Sequence, residues 1–273
     1  MTHRTFAPWI SFVSLAGAVA LAVPSAAYGQ EGCSALGLGN SGAAIHSALG
    51  KALKGVAPNK DANGGLGNQM WATVVDSDGR VCAVAFTGAT RWSQWPASRV
   101  ISGQKANTAA ALNLPAGAGG TVDALSTANL WAPVQPGGSL YGLQFSNPVD
   151  PATAYGKPAD APKYGTPQDP LVGQVAGGVN VFGGGLALYD ANGHKVGGVG
   201  VSGDTSCADH NIAWRLRHAL NLDHLTTAKI KGLSAAPRQD NIIYDVAESH
   251  SKSGFGHPMC GFKEDAVELP PTR

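Results

Sequence analysis

Residues 41–53 read SGAAIHSALGKAL, with apolar or small side chains at Ala44, Ile45, Ala48, Leu49 and Ala52. That stripe recurs every three to four residues and predicts an amphipathic helix with Ser41 as its N-cap, weakened but not broken by Gly50. The period then shortens to two. Gln69 to Val75 and Arg80 to Thr87 alternate as strands, joined across Asp76-Ser77-Asp78-Gly79, a strong hairpin signal. Helical spacing returns in WPASRVISGQKANTAAALN, where Pro96 suits a first helical position and Val100, Ile101, Thr108, Ala111 and Leu112 share a face. A short helix is expected over Asp123 to Leu130.

From Pro133 to Pro170 the periodicity disappears: this stretch holds eight of the seventeen prolines, interleaved with Tyr141, Phe145, Tyr155 and Tyr164. A connection of that length usually carries function or lacks order. A second hairpin follows, Gly185 to Tyr189 and Lys195 to Val201, across Ala191-Asn192-Gly193-His194. The last helix begins near Ser206, which with Asp209 resembles a capping box, and presents Ile212, Leu216, Ala219 and Leu220 on one face. Beyond it the tail is irregular, with one short strand expected at Asn241 to Asp245. The order of elements defines an α+β class: an antiparallel sheet flanked by helices, with a long Pro/Gly-rich insertion loop.

Composition narrows what such a domain does. Glycine is 37 of 273 residues, about twice the usual ~7% share, and charged residues are 14% against roughly 25% in ordinary domains. With a net charge of +1, no bulk electrostatic case for nucleic acid or an anionic membrane survives. Residues 1–29 read as a secretory signal peptide: His3 and Arg4, an apolar run from Trp9 to Val23, then small residues, with cleavage after Ala27 or Gly29. Removing Arg4 leaves equal numbers of basic and acidic residues in the mature chain. Pro24 and Ser25 interrupt the run too early for a transmembrane anchor, so a periplasmic or secreted protein without membrane insertion is expected.

All four cysteines fall in residues 30–273, taken as one domain with its tail, and export makes two disulfides the default among three connectivities. Cys207 with Cys260, leaving Cys33 with Cys82, is favoured because it ties the Gly/Ser-rich tail to the body. A zinc site is the rival, without a C-x-x-C or H-x-x-x-H pair to support it.

WATVVDSDGRVCAVAFTG, SRVISGQKANTAAALN with Lys105-Ala106 at its middle, GGGLALYDANGHKVGGVGVSG, and Asp209 with Ile212-Ala213 together resemble the GlcG/HbpS-like family, related to the C-terminal domain of PduO-type proteins. The resemblance spans about Gln69 to Leu220, VGGVGVSG being its most specific piece. It implies a profilin-like fold, frequent homo-oligomers, and in several members binding of haem or another tetrapyrrole.

A haem pocket needs axial donors, apolar walls and cations for the propionates. By family analogy His46 is the donor from the first helix, competing with a plain surface or core role. His210, in the first turn of the last helix, stays neutral beside the positive end of the helix dipole. Trp214, four residues on, is a ring wall or simply His210's packing partner. Arg99 and Lys105 are the propionate cations, unless they are merely solvated. His46 and His210 are thus the metal-ligating candidates. Gly183-Gly184-Gly185 admits a close approach by ligand or backbone, and the backbone reading is preferred. No nucleophile elbow or chosen carboxylate pair is present, so binding without catalysis leads. The alternatives are an enzyme acting on a small organic acid, with Lys105 or His210 as acid/base, and an oligomeric sensor-accessory protein.

Overall fold

The computed structural model describes residue 1 and residues 32–57 and 59–273. The expected signal peptide lies outside the described residues, save residue 1. Among the described residues the α-helices and strands run in the order α1 (Gly42–Val56), α2 (Lys60–Asn63), β1 (Trp71–Asp76), β2 (Val81–Phe86), α3 (Ser98–Ala111), α4 (Pro151–Tyr155), β3 (Gly185–Tyr189), β4 (Lys195–Ser202), α5 (Ser206–Ala219), β5 (Val246–Ala247) and β6 (His250–Ser251). The main sheet has strand order β2-β1-β4-β3 with every pair antiparallel, so the two hairpins meet along β1 and β4. This is an α+β architecture.

Both hairpins turn by the same local device. Asp76 Oδ1 accepts from the N–H groups of Asp78 and Arg80 at 3.0 and 2.9 Å, and Asp190 Oδ1 accepts from those of Asn192 and His194, both at 2.9 Å. Gly79 and Gly193, each three residues after its aspartate, supply the positive φ that closes the turn, 80° and 79°.

Side-chain alternation sends β1 both ways. Ala72 and Val74 join Ile45, Leu49 and Leu53 of α1 and Ile212 and Leu216 of α5 on one face. Trp71 and Val75 join Val100, Ala106 and Ala110 of α3 on the other. Because both faces are covered, the strands are buried almost throughout. The glycines of β4 explain how α3 docks: a Cβ on Gly200 would stand 2.0 Å from the Ser102 carbonyl oxygen, and one on Gly198 would stand 2.3 Å from that of Ala106. The small-residue face of α3 and the glycine-rich strand are therefore two halves of one helix-sheet contact.

The described elements differ from expectation at four places, each with a local cause. Pro96 sits in the turn before α3, whose Ser98 N–H returns to the Trp95 carbonyl, so the helix begins two residues later. Only Thr127–Leu130 coils, as a 3-10 helix, because Asp123 and Ala124 donate their N–H groups to Lys231 O and run beside that segment. Thr205, not Ser206, caps α5 by accepting from Ala208 N–H, which frees Asp209 to turn inward. Residues 241–245 form no strand; the short pairing falls on β5 and β6. Disulfides join Cys33 to Cys82 and Cys207 to Cys260.

Candidate functional site

The residues nominated from sequence occupy separate places. On α3, Arg99 is 1% exposed; its Nε donates to Asp169 Oδ2 at 2.9 Å, a second guanidinium nitrogen bonds Asp169 Oδ1, and Nη1 donates to the Ala154 carbonyl at 2.7 Å. Arg99 thus clamps the proline-rich connection onto the sheet. Two turns along, Lys105 is sealed from solvent with Nζ 2.7 Å from Asp209 Oδ2 and 3.0 Å from the Val201 carbonyl. Burial holds the Lys105 ammonium below its ordinary pKa and lifts the Asp209 carboxyl to about 6, each opposed by the attraction of the other. The glycine run lies against this pair, since a Cβ on Gly184 would meet Lys105 Nζ at 2.9 Å and Asp209 Cβ at 3.0 Å. Neighbouring protein fills that close approach.

His210 is also fully enclosed. Its Nε2 lies 3.0 Å from Asn241 Oδ1 and 3.2 Å from the Ile242 nitrogen, while Nδ1 has no partner. Burial lowers its pKa to about 4, so it is neutral at ordinary pH. Trp214 is its packing neighbour, ring centroids 6.1 Å apart, and donates its indole N–H to the Pro270 carbonyl at 2.8 Å. His46 is half-buried on α1, with Nε2 donating to the Gly165 carbonyl at 2.9 Å.

Aromatic surface collects elsewhere, in a cleft of about 340 Å³ lined by Trp71, Arg91, Trp92, Pro96, Ala97, Tyr155, Ala161 and Tyr164. Its floor is built from β1. The Trp71 indole N–H donates to the Trp95 carbonyl at 3.0 Å, and its ring packs edge-on to Phe86 at 5.1 Å. Gly165 must be glycine here: its φ is +75°, and a Cβ would strike the Phe86 ring at 2.3 Å. Tyr164 is fixed by the Arg99 guanidinium 3.9 Å over its ring and by its hydroxyl, which donates to the Tyr155 carbonyl at 2.7 Å. On the open side Arg91 stands 4.4 Å over the Trp92 ring, and Trp92 and Tyr155 are 66% and 48% exposed. A larger cleft of about 380 Å³ mixes the charges of Asp61, Arg215, Lys263 and Glu268 with small and apolar residues, and has Phe262 as its aromatic member.

Sequence reasoning passed over Arg91 and Trp92. The available signal was RWSQWP, two tryptophans and an arginine in a loop where the core needs neither. Chemically the cleft offers flat apolar walls and one guanidinium at the rim, suited to a flat ligand that carries an anionic group. Its lining contains no histidine; His46 reaches only the wall segment, through Gly165.

A second grouping sits where the tail meets α5. Ser206 Oγ lies 3.2 Å from His257 Nε2, while His257 Nδ1 bonds the Pro258 carbonyl at 2.7 Å beside the Cys207–Cys260 disulfide. Burial lowers the His257 pKa to about 4.

The model of the family described as haem degrading protein HbpS-like matches residues 47–216. The chain belongs to that family. Among solved structures it is similar to Klebsiella pneumoniae protein ORFY at 24% identity and TM-score 0.40, covering 64% of this chain and 88% of that one. It is similar to PduOC, solved as a haem complex, at 22% identity and TM-score 0.42, covering 64% and 91%. A double mutant of Streptomyces reticuli HbpS gives 17% identity and TM-score 0.42, covering 78% and 99%. No curated protein matches the chain. No helix among the described residues is long and apolar enough to cross a membrane.

Proposed function

We propose that this chain is an exported HbpS-like protein that binds haem or a related flat, carboxylate-bearing ligand in the Trp71–Trp92–Tyr164 cleft, without chemistry of its own. The observation that carries the reading is the open aromatic cleft itself: Trp92 and Tyr155 stay exposed beside Arg91, where an isolated monomer gains nothing from leaving them bare. Family membership supports the choice of a tetrapyrrole. When bound, haem would supply a redox-active iron. The chain's own part is to stack the ring on Trp92, Tyr155 and Tyr164 over the buried Trp71 floor, to pair a propionate with Arg91, and to exclude water from the inner face.

In this reading His46, which meets the wall segment at the Gly165 carbonyl, would be the residue that holds the iron. Enclosed in the core, Arg99 holds Tyr164 and the proline-rich connection in place, while His210 with Trp214 and Lys105 are enclosed away from the cleft. The confinement of the Lys105–Asp209 pair, the strongest acid/base grouping, favours binding over catalysis on an organic acid. Export follows from residues 1–29 as a signal peptide, and the two disulfides suit a periplasmic or secreted setting. A single profilin-like domain over residues 30–273, assembled as a homo-oligomer, completes the proposal.

Absorption and mass analysis of protein purified from its native host, followed by haemin titration, tests it. A co-purifying tetrapyrrole or a saturable Soret shift, altered in His46→Ala, supports the reading. Apo protein that takes up no haemin contradicts it.

A further inference from the structure

Binding in the aromatic cleft leaves the junction of the tail with α5 unused. Donor atoms of Cys207, His257 and Cys260 all lie within 4.8 Å of one another, with Cys207 and His257 buried and Cys260 half-buried. While the two sulfurs are bonded to each other neither is a metal ligand. Separated, they and the imidazole make a set of two thiolate sulfurs and one nitrogen, of the kind zinc takes, with a fourth position left for water.

The imidazole stands beside the sulfurs, its Nδ1 4.0 Å from Cys207 Sγ. Its Nδ1–H donates to the Pro258 carbonyl, which leaves the Nε2 lone pair facing Ser206 Oγ at 3.2 Å; that hydroxyl lies in turn 3.6 Å from Cys260 Sγ. A histidine whose other nitrogen is held by a carbonyl is the usual arrangement of a zinc ligand. The loop would also keep its shape without the cross-link, because the Glu264 carboxylate accepts from Gly261 and Phe262 N–H at 3.2 and 2.7 Å.

We propose that reduction of Cys207–Cys260 by a dithiol converts this cross-link into a zinc site formed by Cys207, His257 and Cys260. The dithiol's sulfurs join as a disulfide and pass two electrons and two protons to the cysteines; zinc binding then releases both protons as the thiols become thiolates. The sulfurs move from about 2 Å apart in a disulfide to about 3.8 Å apart around a tetrahedral ion with Zn–S of about 2.3 Å, a shift that Cys260 on its half-exposed loop can supply. In both states the tail remains fastened to α5.

The test titrates Co2+, then Zn2+, into the full chain before and after reduction, with circular dichroism on the same samples. The reduced protein is expected to show a thiolate-to-cobalt absorption band for one equivalent, displaced by Zn2+ and weakened at least tenfold in His257→Asn; the oxidised protein shows none. Asp76→Asn, beside the Cys33–Cys82 disulfide, leaves the band unchanged. If reduction unfolds the chain, Zn2+ restores the folded signal in the wild type but not in His257→Asn. A reduced, folded protein without the band, a band indifferent to His257→Asn, or an unfolded chain that Zn2+ does not restore overturns the proposal.

Discussion

Lys105 and Asp209 meet between α3 and α5 as a solvent-free ion pair, ammonium to carboxylate 2.7 Å, with the Val201 carbonyl and the Asp204 N–H completing their bonding. Removing one partner strands the other charge in the core. Lys105→Met is therefore expected to cost about 3–5 kcal/mol in a urea titration, and Lys105→Met with Asp209→Leu to recover most of it. A single variant within about 1 kcal/mol of the wild type would show that the pair is not what holds this seam.

Acid should weaken the fold through His210. Its folded pKa of about 4 lies below the ordinary value of 6.5, so the unfolded chain gains a proton first as pH falls. The stabilisation from neutral His210 is complete above pH 6.5 and is lost on the way down to pH 4, on the order of 3 kcal/mol in all. Asp209, with its raised carboxyl, works in the opposite sense. The measurement is thus the difference between the stability-pH profiles of wild type and His210→Asn: the variant should lose less stability over this window, and parallel profiles would refute the assignment.

Gly200→Ala should be among the most damaging small substitutions. The added methyl would sit 2.0 Å from the Ser102 carbonyl, and neither a strand nor a helix backbone yields easily. A loss of about 3 kcal/mol or more is expected by thermal or urea denaturation. Gly55→Ala, with open space around the new methyl, serves as the control and should change little.

Asp169→Ala should loosen the cleft without dismantling the sheet. It removes the Arg99 clamp and the acceptor for the Gly165 and Leu171 N–H groups. Hydrogen exchange is expected to quicken in residues 150–171 and to stay near wild type in β1 and β4. Equal loss of protection in both would show that the clamp supports the whole domain.

Local signals were legible in the sequence, and distant ones were not. Asp76 with Gly79 and Asp190 with Gly193 declare both hairpins because the turn chemistry lies within four residues. The helical stripe around Ile45, Leu49 and Leu53 is equally local. Arg99 looked like a free cation because Asp169 lies 70 residues away, and Lys105 because Asp209 lies 104 residues away. No pattern along the chain announces that Trp71, Trp92 and Tyr164 converge: their common wall exists only once Arg99 has drawn the proline-rich connection onto the sheet. Trp214 shows the same distance in sequence: its indole N–H reaches the Pro270 carbonyl 56 residues on, while its ring packs beside His210.

The affinity of haemin for wild type and Trp92→Ala, read from the Soret band, tests the central claim most directly. The cleft account predicts saturable binding by the wild type and about 30-fold weaker binding by Trp92→Ala, the equivalent of about 2 kcal/mol of lost aromatic contact. No saturable band in the wild type, or the same affinity in both proteins, would contradict it.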